Sequence, residues 1–524
     1  MSRSNGRAFV VGGGIGGLAA AAFMIRDGGM RGDHITIFEA SPSLGGCIEA
    51  GGDPREGYAI HGTRMMTAEN FECTWKLFES IPSLTTPGKS VTDETIDHSK
   101  KVKWDARARL IDRNRAIVDV SSMGFRMKDR VELLKLSEAS EEDLADTRIT
   151  DWLSPGFFET NFWYMWQTTF AFQPWHSALE FKRYMHRFIV SFSRIEKLSG
   201  VKHPVYNHYD SLIRPLVNWL EGEGVHIQTH TSVTDFDLAT EQDKLAVTGV
   251  HLHREGNDRI IRVDLNDLVV LQNGSMTDAS SFGSMTNPPK RLKEVDSGAW
   301  RLWEKLAEGR QEFGNPAKFN SSISETHWLS FTVTMWDTVF FDMMEHLTGN
   351  KTGTGGIITF KDSRWLMSIV LHHQPHFADQ PEGVQVFWGY ALHPDRVGDF
   401  VAKPMSECSG QEILRELCGH LNFVESVLDK AACIPCHMPY ITSQFMPRRA
   451  SDRPLPVPRS SRNLAMVSQF VEIPDDVVFT IEYSIRAAQM AVYQLLDVRR
   501  EIPPVTPYDK SLKVQLKALV KAFK

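Results

Sequence analysis

Apolar positions near the start of the chain fall in short, closely bounded runs. Arg7-Ala8-Phe9-Val10-Val11 has the β-branched, near-continuous character of a strand buried on both faces. Gly12-Gly13-Gly14-Ile15-Gly16-Gly17 follows, and then an alanine-rich helix over Leu18–Ile25. His34–Phe38 predicts a second strand that ends at Glu39. Similar runs predict strands over Gly224–Gln228, Asp267–Leu271 and Asn463–Val467, and a long helix over Glu482–Val498. Between them, alternation predicts strands at Gly356–Phe360, Trp365–Leu371 and Val384–Leu392, with helices around Gly298–Leu306 and Gly410–Leu421. The stretch from about Asp129 to Leu198 predicts helices with Asp146, Asp151 and Ser154 as caps. It is crowded with aromatics from Phe157 to Phe188, a density that is mostly core and also suits the wall of a long apolar channel.

Strand, glycine turn, helix, second strand and terminal acid, in that order, predict a dinucleotide site. Gly12 makes the tight turn, Gly14 lets the backbone approach a pyrophosphate, and Gly17 lets the helix pack on the strand. Ile15 and Gly16 open the helix, whose free N–H groups attract that anion. Glu39, with Ala40 beside it, is placed to accept ribose hydroxyls. Gly45 and Gly46 add a second glycine pair just after the acid, as in large flavoproteins of the amine-oxidase type, and favour FAD over NAD. Val233 is expected near the adenine, Asn273-Gly274-Ser275 at a further strand end, and Thr480 near the flavin end. The fold class expected is α/β. A Rossmann-like FAD-binding domain (1–128, 201–289 and 440–500) would be interrupted by a helical, aromatic-rich subdomain (129–200) and a mixed α+β substrate domain (290–439). An amphipathic helix would close the chain in 501–524.

Charge and cysteine usage narrow the class. A net charge of −7 over 524 residues argues against nucleic acid as the main partner. The start, Met1–Arg7, lacks the character of a secretory signal, and no run reaches the length of a membrane span. Six cysteines without regular spacing suit reduced thiols in a cytoplasm. Cys433-Ile434-Pro435-Cys436 has redox spacing but no thioredoxin-type strand and helix around it, so two packed thiols are expected. Ser511–Lys524 places Leu512, Leu516, Leu519 and Phe523 on one helical face, with Lys513, Lys517, Lys521 and Lys524 beside them. Such a helix either lies on an anionic membrane surface, making the protein peripheral, or docks on the protein itself.

Longer stretches carry a family resemblance across nearly the whole chain. They include Phe71–Trp75 with Ser80–Leu84, Phe170–Ala178, Arg183-Tyr184 with Arg187-Phe188, Tyr206–Leu212, Met438–Ser443 and Glu482-Tyr483-Ser484. On these the chain resembles the oleate hydratase family, flavoproteins once called myosin-cross-reactive antigens. The resemblance implies addition of water across the cis-9 double bond of an unsaturated fatty acid to give a 10-hydroxy acid. FAD would shape the site without net redox change. It implies Tyr184 as the acid that protonates the alkene, with Gly62, Thr63 and Arg64 beside the cofactor. The family's pattern Arg-Gly-Gly-Arg-Glu-Met has a glutamate as base; here the residues are His61-Gly62-Thr63-Arg64-Met65-Met66, with one extra residue before Phe71. Met65 or Met66 therefore takes the glutamate's place, and Met65, Met66 and Thr67 are the candidate catalytic positions of this stretch. Three explanations stand. The flavin and backbone near Arg64 position the water, or Glu69 reaches the site although a solvent-facing place on the next helix is expected for it, or hydration is lost or altered. At the carboxylate end, the family's Thr-Leu-Asn-Arg-Gln becomes Val370-Leu371-His372-His373-Gln374, and His376 matches a family histidine. Val370, His372 and His376 are the candidate substrate-binding residues, and no metal is expected on them. A redox flavoenzyme, such as a double-bond isomerase, and a non-catalytic lipid-binding protein are the competing readings. The short N-terminus suits a monomer, though family members are often homodimers.

Overall fold

The computed structural model describes residues 3–241, 243–291 and 298–523; Met1 and Lys524, both invoked above, lie outside them. Ala8–Val11 is the middle strand of a five-stranded parallel sheet, in the order Leu464–Met466, Leu268–Leu271, Ala8–Val11, Ile35–Phe38, His226–Gln228. Its strands come from three widely separated stretches of chain. The registers Ala8↔Leu268 and Ala8↔Ile35 align the strand ends, so the Gly12 turn and Gln272 emerge side by side. The helix Ile15–Arg26 is buried from Ile15 to Met24 and packs on the helix Ile481–Leu495. Alanines on both, Ala19–Ala22 and Ala487, Ala488 and Ala491, allow this close approach. Ser232–Glu241, Lys244–Arg254 and Asn257–Arg262 form a small antiparallel sheet alongside, and Val233 sits on its first strand.

A second, seven-stranded sheet is mostly antiparallel. Trp328–Met335 lies within it between Ala431–Met438 and Gln385–Ala391. One face packs Leu329, Phe331 and Val333 into an apolar core with Ile413, Leu414 and Leu417 of the helix Gly410–Leu421. The other face receives the hairpin strand Gly57–Ile60, through Tyr58 N–H to Thr334 Oγ1 (2.8 Å) and Ile60 N–H to Thr332 Oγ1 (3.1 Å). Cys433 and Cys436 both stand in the strand Ala431–Met438, and side-chain alternation sends them to opposite faces. Cys433 belongs to one apolar core and Cys436 to the other; both thiols are free. Burial pushes each thiol up in pKa, which makes it inert.

The aromatic stretch is helical over Asn161–Phe170 and Ala178–Arg187. Its side-chain caps are Thr160, accepting from Trp163 N–H at 3.1 Å, and Ser177, accepting from Glu180 N–H at 3.3 Å. Of the expected caps, Ser154 does hold an N-cap position, ahead of the short turn Pro155–Glu159, and Asp151 belongs to a capping box, whereas Asp146 heads no described helix. Asp146 pairs with Lys318 and Arg449, Asp151 accepts Arg148 N–H at the far end of a single turn, and the Ser154 hydroxyl donates to Glu132. The C-terminal helix Leu512–Ala522 rests on Ile189–Phe192. Lys521 is buried in that contact and paired with Glu196 at 2.8 Å, whereas Leu512, Leu516, Leu519 and Phe523 stay exposed. No described helix is long and apolar enough to cross a membrane.

Candidate active site

Two glycine loops cross at the head of the first helix. Gly45 N–H donates to Gly13 O at 2.9 Å, and a Cβ on Gly46 would stand 3.6 Å from Gly14 Cα. Gly12 has φ +103°, and a Cβ on Gly17 would meet Gly12 O at 2.2 Å, so neither position admits a side chain without rearrangement. Glu39 folds back over the loop: Oε2 accepts Gly13 N–H at 2.7 Å and Oε1 accepts Ser41 N–H at 2.8 Å. Ala40 beside it is exposed. Gln272, unnoticed in the sequence, reaches in from the neighbouring strand end and accepts Gly17 N–H through Oε1 at 3.1 Å. A Cβ on Gly14 would meet this Gln272 side chain at 2.9 Å, so Gly14 is small for Gln272 as well as for any ligand above the loop. Asn273 and Gly274 are structural in their contacts. Asn273 exchanges hydrogen bonds with Ser468 and Phe470, and a Cβ on Gly274 would strike Trp300 at 2.8 Å. Ser275 accepts Thr277 N–H in the following turn.

A separate apolar cavity lies among the aromatic helices. Its walls bring together Thr63, Arg64, Met65 and Thr67 with the aromatic helices (Trp166, Phe170, Tyr184, Phe188) and with Phe479 and Thr480. The short strand Met66–Thr67 pairs with Val201–Lys202. Met65 lines the cavity, whereas Met66 is wholly buried in the core and takes no part in it. Glu69 stands before the helix Glu72–Phe78, not on it, and is ion-paired with Arg194 at 2.7 Å. It is Arg194, not Glu69, that reaches the cavity wall.

The Tyr184 hydroxyl donates to Val478 O at 2.5 Å. Burial, with Glu180 and Asp476 behind it, holds the phenol pKa well above its ordinary value, so the group stays protonated at physiological pH. Its acceptor is fixed from both sides. Arg183, one residue before Tyr184, pairs with Glu472 at 2.7 Å, and Arg187, a turn later, with Asp476 at 3.2 Å. Arg486 also holds Asp476, at 2.8 Å. These buried pairs clamp the 472–478 segment to the helix that carries Tyr184. Phe479 then adopts a left-handed φ of +65°, and Gln469 binds Phe479 N–H and Thr480 O. Thr480 caps the helix Ile481–Leu495.

Arg64 lines both this cavity and a second pocket. Its guanidinium stacks 5.1 Å from the Phe479 ring centroid, and Nη2 is buried without a hydrogen-bond partner. The second pocket is walled by His203, His208, His372, His373 and His376. Val370 is buried in its strand behind them and does not line it. The cis peptide Gln374–Pro375 lies between His373 and His376, and Gln374 and Gln380 brace the loop through a 2.7 Å hydrogen bond. Burial holds His372 and His208 down to about 3, with His208 repelled further by Arg64.

A family model described as the MCRA family matches residues 5–493. The chain belongs to the MCRA family. It is 39% identical over 531 residues to an oleate hydratase of Streptococcus pyogenes serotype M49 (strain NZ131), covering 98% of this chain and 89% of that one. It is 33% identical over 562 residues to a linoleate hydratase of Lactiplantibacillus plantarum, covering 99% and 98%. Among solved structures, putrescine oxidase bound to putrescine matches with a TM-score of 0.56 at 12% identity, over 94% of this chain and 99% of that one. Cyclohexylamine oxidase from Brevibacterium oxydans IH-35A gives 0.54 at 11%, over 94% and 99%. At these identities the likeness is one of fold. This MCRA chain therefore carries the amine-oxidase-type fold.

Proposed function

We propose that the protein is an FAD-dependent hydro-lyase that adds water across the cis-9 double bond of oleate-like fatty acids to give 10-hydroxy acids. One observation carries this reading: Tyr184 stands in the wall of the apolar cavity, which shares Thr63 and Arg64 with an imidazole-lined pocket. An alkyl chain suits the first space and a carboxylate the second. The identity to relatives named as hydratases supports it.

The glycine crossing fits a dinucleotide, because it combines a helix N-terminus with main chain bare of side chains at Gly14 and Gly46. Gly12, Gly14, Ile15, Gly16 and Gly17 with Gly45 and Gly46 would hold the diphosphate, Glu39 and Ala40 the ribose, and Val233 the adenine side. Gly62, Thr63, Arg64, Ser275 and Thr480 would flank the flavin. Bound FAD supplies shape and electrostatic support to the reaction. Tyr184 delivers its proton to one alkene carbon, and water held beside Arg64 and Met65 adds to the other. The proton shed by water returns through solvent to the tyrosinate, so the balance closes without a carboxylate at Met65.

The exposed apolar face of the C-terminal helix, with Lys513 and Lys517 beside it, supports attachment of a cytoplasmic protein to an anionic membrane surface. Anaerobic incubation of FAD-loaded protein with oleate in 18O-water, followed by mass spectrometry, tests the reaction. Labelled 10-hydroxy acid is expected. An isomerised acid, or turnover that requires an electron acceptor, would replace hydration with the redox reading.

A further inference from the structure

The pocket around His372 and His376 is built from imidazole. The two rings stack with centroids 3.9 Å apart and planes 6° from parallel. His208 enters from the residue that leads into the π-turn Tyr209–Ile213, and His373 from the same loop as the pair. Nε2 of His208, His372 and His376 and Nδ1 of His373 are buried without hydrogen-bond partners. Unpaired buried polar atoms are costly, and four at one cavity mark a polar guest. That guest is not a preorganised metal ion. Among the described residues, the one trio of metal-type ligand atoms close enough together is Asp399, Glu416 and His420, outside this pocket.

Few fixed charges face the pair. Arg64 lines the pocket, its Nη1 on Thr63 O. From the 203–210 segment come His203, close to the carbonyls of Val102 and Pro204, Tyr206 and His208, with Asp210 behind them accepting from Asn207 and Ala378 N–H. From the helix Val91–Lys101 comes His98, edge-on to His203 and His373, with Lys101 and Glu94 near it. Glu94 is already engaged by the hydroxyls of Ser83, Thr85 and Thr86.

A fatty carboxylate is ionised at neutral pH, and burying that charge demands compensation. A neutral imidazole donates one N–H; an imidazolium donates two and brings a positive charge. We propose that the His372–His376 pair takes up a proton as it captures the substrate carboxylate, so the site binds a free acid head group as a neutral ion pair. This rests on the fatty-acid reading above. Without an anion, burial and the surrounding imidazoles keep both rings neutral at pH 7. A carboxylate in contact favours the protonated form of one ring. Capture is then coupled to proton uptake, and affinity falls about tenfold for each pH unit of rise where one proton is taken up. An ester or thioester of the same chain carries no charge and binds without uptake.

The test is calorimetric titration of FAD-loaded protein with palmitoleate below its micelle concentration, at pH 7, in phosphate and in Tris. The difference in apparent enthalpy between buffers gives the protons exchanged. Uptake of about one proton is expected, with Kd rising about tenfold per pH unit. In His372→Asn/His376→Asn, which keeps donors that cannot titrate, uptake should vanish and the pH dependence flatten. Tight binding without proton uptake overturns the proposal and leaves the fatty-acid reading standing. Unchanged uptake in the double variant also overturns it, because the proton then resides on the ligand or another group. Absence of any palmitoleate binding removes the fatty-acid reading itself. If the double variant does not load flavin, the wild-type buffer comparison decides alone.

Discussion

Tyr184→Phe removes one oxygen and nothing else. The ring keeps its neighbours Phe170, Phe172, Phe188 and Phe445, at centroid distances of 5.1, 5.0, 5.5 and 5.6 Å. What is lost is the hydrogen bond to the buried Val478 carbonyl. Leaving that acceptor unsatisfied costs about 1–3 kcal/mol, a modest part of a domain's stability. Flavin loading should be untouched, since Tyr184 lies on the aromatic helix and not at the glycine crossing. Hydration should fall by about 10²–10⁴, the usual contribution of a positioned general acid. The assay is the initial rate of 10-hydroxy acid formation at matched flavin content, with thermal melting alongside. A rate within about tenfold of wild type, in a variant that melts within a few degrees of it, would refute Tyr184 as the acid.

Other perturbations separate neighbouring claims. Met65→Glu restores a carboxylate beside Arg64 and should raise the hydration rate, whereas Met66→Glu buries an unpaired charge in the core and should destabilise the fold by about 4 kcal/mol or more; rates and urea midpoints distinguish them. Gly17→Ala drives a methyl into the Gly12 carbonyl, 2.2 Å from its Cβ, and should yield protein with little bound flavin, read from its visible absorbance. Leu512→Glu/Leu516→Glu should cut sedimentation with anionic vesicles while leaving activity on dispersed oleate intact. The ligand-free fold should be acid-labile. Histidines held down to about 3 or 4, such as His61, His98 and His372, contribute stability that is full above about pH 6.5 and lost as pH falls towards those values; melting temperatures from pH 7.5 to 5 check this.

The parallel sheet was legible because a strand buried on both faces leaves an unbroken apolar run, and because the glycine turn fixes where the first one stops. The helix caps were less so. Asp146 looks like a cap locally, yet its oxygens go to the distant Lys318 and Arg449; Ser154 keeps the N-cap position while its hydroxyl donates to Glu132. Within the site, the choice between Met65 and Met66 was undecidable along the sequence. The pairing of Met66–Thr67 with Val201–Lys202 settles which methionine faces the cavity, and that pairing joins residues far apart. Gln272 carries no sequence signal of its own, because its contact with Gly17 joins residues 255 positions apart. His208 stood inside a stretch used only as a family marker, and the imidazole pocket appears when that stretch folds against residues 372–376.

The strand Ala431–Met438 gives the molecule two internal clocks. Cys433 and Cys436 are three residues apart, yet one is sealed in the core beneath the helix Gly410–Leu421 and the other in the core shared with the nucleotide-type sheet. A thiol reagent reaches each only when its own side of the sheet opens. Pulse labelling in mild denaturant, read peptide by peptide, would time the opening of the two cores separately within a single strand. It would tell whether the molecule comes apart as one cooperative body or as two.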